Sequence, residues 1–272
     1  MGERFCRYDR NTPLVFPAFL FCVGLPLPYA IEGRLKKGQS IPDIILHIFL
    51  RTLALVVMGL FSMNSGGIEG GLSGQWFKIL MVIGFFLIWN EKSPTVWVCV
   101  AGVALLSGLV AYRYAFGHPI RVGWWGILGL IGWAYLASSL VYLIVRKSFA
   151  WSVVALTVFL ALMTTFFAGV SKLGFYPGGW THVALVYSGV VVAQMMKRRN
   201  FILSSIVCGA LAFLLGFLCH QVWIISKIQA TPTWYFYCIA AFLPVLAVVY
   251  WLSDRNGWTA WARPVKAAGT AT

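Results

Sequence analysis

Residues 201–219 read FILSSIVCGALAFLLGFLC, an apolar run without a charged side chain. About 20 such residues in a helix are enough to cross the hydrocarbon core of a bilayer. Eight other apolar runs follow one another along the chain, and only short connections separate them. We therefore predict an all-α fold, a polytopic transmembrane helix bundle of about nine spans that forms a single domain over residues 1–272. The predicted spans are 14–31, 43–63, 75–90, 95–112, 123–145, 150–170, 180–196, 201–219 and 234–252.

The composition excludes both a soluble and a disordered protein. Of the 272 residues, 60% are hydrophobic and 10% are charged, whereas a soluble domain carries about 25% charged residues. A disordered chain combines few apolar residues with much charge. The six cysteines include no Cys-x-x-Cys pair, so neither a disulfide framework nor a metal site is predicted.

The distribution of basic residues predicts how the chain is oriented. We call the face that carries the N-terminus side X and the opposite face side Y. With nine spans, 13 of the 21 Lys and Arg residues fall on side Y and eight on side X. Since cytoplasmic loops carry an excess of Lys and Arg, side Y and the C-terminus are predicted to be cytoplasmic. The cations lie in short loops and form no separate basic stripe, so the expected partner is the lipid bilayer and not nucleic acid.

The acidic residues argue against ion-coupled transport. All seven lie in loops or at the ends of predicted spans. An ion-coupled transporter usually keeps a carboxylate within the membrane, where a charge is costly and is retained for function. Transport therefore loses its best signature without being excluded.

Histidines and irregular segments concentrate on side X. His118, His182 and His220 fall near this face, and glycine and proline are frequent in its loops, above all in 174–182. Glycine and proline mark departures from helix, and such backbone at membrane depth must be buried in protein or line water. One interpretation is a polar vestibule that opens on side X. The other is a set of ordinary interfacial loops with Trp and Tyr belts.

Three further polar residues stand out by their positions. Arg51 lies about two turns inside the second span and either faces the bundle, where it would be functional, or snorkels to side Y. Lys227 is the only basic residue of the last side X loop, and it either binds a phosphate or carboxylate or snorkels. Asn64, at the side X end of the second span, is a helix cap in its simplest interpretation.

Four segments occur in a characteristic order. Residues 14–24 (LVFPAFLFCVG) resemble a VFPxFxFxxG helix, and residues 51–64 resemble an R-x-LLL-x-x-x-GLF-x-x-N helix. Residues 227–234 (KIQATPTW) are similar to K-x-x-W-T-P-S-W, and residues 250–269 are similar to YW-x-x-D-x-x-GW-x-x-W-x-x-P-x-x-x-x-G. The series resembles the heparan-α-glucosaminide N-acetyltransferase-like family of membrane acyltransferases, in particular its bacterial members.

The resemblance implies an acetyltransferase of a bacterial inner membrane. Cytoplasmic acetyl-CoA would be the co-substrate, no metal would be needed, and an amino sugar or other glycan on the outer face would accept the acetyl group. Asn64, Lys227 and Thr231 would bind substrate in the outer part of the site, and Arg51 would meet the donor. Homo-oligomerisation stays open.

The chain also departs from the family pattern. The family's catalytic histidine precedes the VFP helix, but residues 1–13 contain no histidine. The acid before the seventh span is absent from Tyr176-Pro177-Gly178-Gly179, and Ala230 stands where the family has tryptophan. We therefore expect a fragment without its first and last helices, or a degenerate member, that is inactive by itself. The catalytic residue is then unknown, and His182 and His220 are the candidates, since histidine can act as a general base or acyl acceptor.

Two classes of function remain. The first is a membrane acyltransferase, including one that uses another acyl donor with a lipid-linked sugar. The second is a non-catalytic membrane protein, either a small-molecule transporter or an inactive scaffold. Consumption of acetyl groups would separate the two classes.

Overall fold

The computed structural model describes residues 14–68, 71, 73–89, 95–123, 125–170 and 179–259. Within this part of the chain the regular structure is entirely helical, as predicted. The helices, in chain order, are α1 (Val15–Gly24), α2 (Leu27–Lys36), α3 (Ile41–Met63), α4 (Gly74–Trp89), α5 (Val96–Ala115), α6 (Gly126–Val145), α7 (Phe149–Phe167), α8 (Gly179–Met196), α9 (Phe201–His220), α10 (Pro232–Tyr250) and a closing π-helical turn (Trp251–Arg255).

Seven helical segments among the described residues are long and apolar enough to cross a membrane, so the chain is an integral membrane protein. The prediction of about nine spans is not confirmed. α1 and α2 together form the first candidate, Val15–Lys36. α4, which corresponds to the predicted span 75–90, has only 16 residues. α8, which corresponds to 180–196, is not among the seven.

The chain divides into two compact units. Unit 1 comprises residues 1–41 and 137–272, and unit 2 comprises residues 42–136. In unit 1, α1 and α7 pack along α8, and α2, α9 and α10 also contact it. Every residue from 181 to 193 is buried. A helix that is buried all round is a core helix, so α8 is surrounded mainly by protein and does not need the hydropathy of a lipid-facing span.

The polar side chains of α8 pair with neighbouring helices of unit 1. The Ser188 hydroxyl lies 2.5 Å from the Tyr235 hydroxyl on α10, and the Gln194 amide donates to the Ser152 hydroxyl on α7 over 2.9 Å. An unpaired polar group in this apolar setting would be costly. These bonds let α8 carry polar residues in the middle of the bundle.

The backbones of α1 and α8 come closest at two glycines. A Cβ on Gly24 would overlap the carbonyl oxygen of Val186, and a Cβ on Gly189 would overlap the carbonyl oxygen of Phe21. Small residues allow close packing of helices within membranes, where van der Waals contact contributes much of the association energy. Only glycine fits at these two positions.

Unit 2 is built on a different helix pair. α4 and α5 pack against each other, and α3 approaches the start of α6 at Gly59, where a Cβ would overlap the carbonyl oxygen of Trp125. The core of this unit consists of five buried apolar side chains: Phe61, Phe77, Met81, Leu106 and Leu109.

We predict that Gly24→Ala lowers the melting temperature and that Gly33→Ala, in the same candidate span, leaves it nearly unchanged. The added methyl group at Gly24 collides with backbone, whereas nothing lies within 4 Å of a Cβ at Gly33. Overpacking costs about 1–3 kcal/mol. The measurement is loss of the monodisperse peak in size-exclusion chromatography of heated, detergent-purified protein. Equal melting of the two variants would contradict the close packing of α1 on α8.

Candidate functional site

The side X end of unit 1 brings two predicted site residues to one aromatic ring. The Phe16 ring at the start of α1 meets the His182 ring edge to face, with 5.3 Å between ring centroids and 83° between the planes. The Lys227 ammonium lies 5.9 Å from the centroid of the same ring. His182 is only 4% exposed, and Lys227 is half-buried. A titratable imidazole and a cation thus flank one phenylalanine.

The turn that carries Lys227 is anchored to the start of α8. The Thr181 hydroxyl donates a 2.6 Å hydrogen bond to the carbonyl oxygen of Ala230, and the Ala230 amide donates to the Lys227 carbonyl oxygen over 3.2 Å. Ala230 has a φ of +53°, which is uncommon for a residue with a side chain. This hydrogen bond therefore holds the Lys227 turn next to Thr181, and His182 is the residue that follows Thr181 in sequence.

The Thr231 hydroxyl is occupied by the same loop. It donates to the Ile224 carbonyl oxygen over 2.8 Å and accepts from the amides of Ser226 and Trp234 over 3.2 and 3.4 Å. Thr231 is thus the N-cap of α10, a position at which threonine satisfies a free amide of the first turn. Its contacts shape the loop, and its role in binding a substrate stays a prediction.

The two candidate histidines lie in different environments. His220 is exposed in the last turn of α9, with its ring centroid 6.5 Å from that of Tyr237. The structure therefore groups His182, and not His220, with the Lys227 turn.

Asn64 closes the end of α3 in unit 2. Its side-chain amide donates to the carbonyl oxygens of Leu60 and Arg121 over 2.8 and 3.0 Å, and its side-chain oxygen accepts from the Arg121 amide over 2.9 Å. Asn64 is 4% exposed. The side chain thus clamps the loop before α6. This geometry matches the predicted helix cap, and a role of Asn64 in substrate binding stays a prediction.

Arg113 is a buried residue that the sequence pattern places only among the side X loop cations. It lies in the last turn of α5, is 9% exposed, and donates to the carbonyl oxygens of Asn64 and Gly66 over 2.6 and 3.2 Å. Its guanidinium carbon lies 5.6 Å from the centroid of the Phe77 ring. Arg113 therefore links α5 to the clamp around Asn64. The sequence did contain a signal for this burial, because Arg113 directly follows the predicted span 95–112. The helix continues to Ala115 and so includes Arg113.

Arg51 does not face a packed interior. Its side chain is exposed on α3, and its guanidinium carbon lies 5.7 Å from the centroid of the Tyr135 ring. Of the two interpretations from sequence, this geometry agrees with a snorkelling arginine. A contact with an acyl donor remains a prediction.

The side Y end of unit 1 holds a second polar cluster. The Lys197 ammonium lies 2.8 Å from a Glu32 carboxylate oxygen, and the Tyr142 hydroxyl donates to the other oxygen over 2.9 Å. Lys197 also lies 4.9 Å from the centroid of the Tyr29 ring. This cluster ties α2 and the end of α6 to the end of α8. Because its groups are paired with one another, we assign this cluster a role in stabilising the fold.

Several predicted features fall outside the described residues. These are the histidine-free segment 1–13, the glycine- and proline-rich stretch 174–178 of the proposed vestibule, and residues 260–272 of the last resembling segment. In the part of the chain that the structure does describe, no group of three His, Cys, Asp or Glu side chains could hold a metal ion.

We call Phe16, His182 and Lys227 the side X cluster, and it combines two side chains that can take part in acid–base chemistry or substrate binding. An imidazole can take up a proton from an attacking group, and a lysine can attract a negatively charged substrate. Comparison of the chain with protein-family models, with curated proteins and with solved structures found no match.

We predict that Asn64→Ala destabilises the protein, whereas Ser62→Ala, two residues earlier, does not. The first change leaves the Arg121 amide and carbonyl groups without their partner, and a buried unsatisfied group costs about 1–3 kcal/mol. Ser62 is exposed, and its hydroxyl donates to the Met58 carbonyl oxygen in its own helix. Thermal melting of both variants in detergent is the measurement. An Asn64→Ala protein that melts with the wild type would show that the clamp is unimportant.

We also predict that Thr181→Val exposes the Lys227 turn to protease. Valine keeps the shape of threonine but cannot donate to Ala230, so the turn loses its anchor on α8. Trypsin cleavage after Lys227, quantified by mass spectrometry of the detergent-purified chain, should become faster. Thr157→Val is the matched control, because Thr157 is exposed and its hydroxyl donates to the Val153 carbonyl oxygen in its own helix. Equal cleavage of the two variants would exclude the anchoring role.

Proposed function

We propose that the protein is a membrane acetyltransferase whose acceptor site lies at the side X end of unit 1. The observation that carries the proposal is the contact of both His182 and Lys227 with the Phe16 ring. These three residues come from the first resembling segment, from α8 and from the Lys227 segment. The geometry offers His182 in place of the histidine that residues 1–13 lack.

In the proposed reaction, the amine of an amino sugar attacks the thioester carbonyl carbon of acetyl-CoA. A nitrogen–carbon bond forms and the carbon–sulfur bond breaks, so that the coenzyme leaves as a thiolate. The His182 imidazole accepts the proton that the amine loses and returns it to the thiolate. General base catalysis of this kind contributes about 10²–10⁴-fold to a rate. Lys227 attracts an acidic group of the acceptor.

The orientation of the protein belongs to the same proposal. Side Y is taken as cytoplasmic because it carries most of the basic residues, so acetyl-CoA approaches from there and the acceptor glycan lies outside a bacterial inner membrane. Asn64 and Arg51 belong to unit 2, and the proposal gives them no contact with the acceptor. Thr231 acts by shaping the loop that holds Lys227.

The test is transfer of radiolabelled acetyl groups from acetyl-CoA to glucosamine in permeabilised membrane vesicles that carry the chain. We expect acetylated glucosamine with the wild type. With His182→Gln the rate should fall by a factor of about 10² or more. His220→Gln is the matched control and should keep the wild-type rate. Lys227→Gln should raise KM for an acidic amino sugar more than it lowers kcat, since the loss is of binding.

Several outcomes would contradict the proposal. Uptake or efflux of an amino sugar without consumption of acetyl groups would identify a transporter, and the absence of both activities would favour an inactive scaffold. Equal rates for His182→Gln and His220→Gln would remove His182 from the reaction.

A further inference from the structure

A charged cavity lies at the side Y end of unit 1, between the start of α9 and the end of α10. Its volume is about 730 Å³. Its polar rim combines two arginines, Arg199 and Arg255, with Asp254 and Asn200, and apolar side chains such as Phe201 and Ile206 line the rest.

The arginines of this cavity keep their charge available for a ligand. In the basic run 197–199, Lys197 is paired with Glu32 and the Arg198 guanidinium carbon lies 4.0 Å from the centroid of the Phe149 ring. Only Arg199 of the run lines the cavity, together with Arg255. Neither has an ion-pair partner among the described residues. With Asp254 included, the rim carries a net charge of +1.

The cavity continues into an apolar groove along α9 and α10. Two further depressions, of about 200 and 500 Å³, share Ile206 and Pro244 and extend the path as far as Phe213. From Ile202 to Phe213 the groove covers about 16 Å of helix at 1.5 Å per residue. One leaflet of the hydrocarbon core is about 15 Å thick, so the groove matches the depth of one acyl chain.

The groove opens outwards from the helix pair. Ile206, Val248 and Phe213 are 52%, 56% and 58% exposed, and in a membrane these surfaces face lipid. Gly209 lies opposite Pro244, where an added Cβ would come 3.3 Å from the proline ring. The absence of a side chain at Gly209 lets α9 pack closely on α10 where both line the groove.

We propose that the groove binds an anionic phospholipid of the side Y leaflet. The phosphodiester accepts charge-assisted hydrogen bonds from Arg199 and Arg255, and a head-group hydroxyl donates to Asp254. One acyl chain follows Ile206 and Pro244 towards side X. A single negative charge neutralises the rim, and the apolar continuation favours a lipid over a soluble phosphate. Basic pockets between transmembrane helices are known to bind acidic head groups.

The test measures lipid binding by native mass spectrometry of the purified full chain, titrated with phosphatidylglycerol, phosphatidylethanolamine or phosphatidylcholine of equal chain length. We expect the tightest binding for phosphatidylglycerol. Arg199→Gln and Arg255→Gln should each weaken that binding about fivefold, as removal of one basic residue at a charged membrane surface does. Arg198→Gln removes the same charge outside the cavity and should leave the affinity unchanged.

A second variant tests the apolar half of the site. Ala210 lines the groove and is exposed, so Ala210→Phe should fill the acyl path and weaken phosphatidylglycerol without unfolding the protein. Melting temperatures measured without added lipid verify that every variant is folded. Equal affinity for the three lipids, equal loss with Arg198→Gln, or an unchanged affinity of Ala210→Phe would overturn the proposal.

Two soluble competitors separate the lipid from other phosphate ligands. Glycerophosphoglycerol, which has the head group without acyl chains, should not displace phosphatidylglycerol at equal concentration. Displacement by coenzyme A would instead assign the cavity to the acetyl donor and overturn the lipid proposal. No acetyl transfer enters these measurements, so their outcome is independent of the proposed reaction.

Discussion

Burial of α8 is the constraint on which unit 1 depends. Its residues 181–193 are enclosed by neighbouring helices, and α1 approaches so closely that Gly24 and Gly189 have no space for a side chain. Because α8 runs through the centre of the unit, its two ends set the positions of both polar clusters. His182 lies at the side X end, and Lys197 follows the helix at the side Y end. A change in the packing of α8 would therefore move both.

Several polar groups among the described residues are paired with neighbouring groups, as an apolar environment favours. Away from water, each unpaired donor or acceptor carries a desolvation cost. The Ser188 and Tyr235 hydroxyls are hydrogen-bonded to each other. The Thr231 hydroxyl bonds to backbone groups of Ile224, Ser226 and Trp234. In unit 2, Asn64 binds the Arg121 backbone in both directions while Arg113 holds the Asn64 carbonyl oxygen. Residues of this kind attract attention in a sequence because they are polar, yet much of their hydrogen-bonding capacity is used by the fold.

The two ends of unit 1 differ in their polar side chains. At side X, a buried histidine and a half-buried lysine lie near the Phe16 ring, where the acceptor site is proposed. At side Y, Glu32 and Lys197 neutralise each other, whereas Arg199 and Arg255 line a cavity that continues into an apolar groove. The proposed chemistry and the proposed lipid site thus use different residues of the same helical framework.

The sequence by itself determined that the protein is helical and lies in a membrane, because long uncharged runs have no other way to satisfy their backbone in lipid. It also located nearly every helix, although two runs, 75–90 and 180–196, lack the length or hydropathy of a span. Only the tertiary structure decided that α8 is a core helix, that His182 contacts the Phe16 ring which Lys227 also approaches, and that Arg113 is buried while Arg51 is exposed. A helix that is apolar on all sides carries no periodic signal to show which face is covered by protein. Its surroundings depend on the helices that pack against it, and these are distant in sequence.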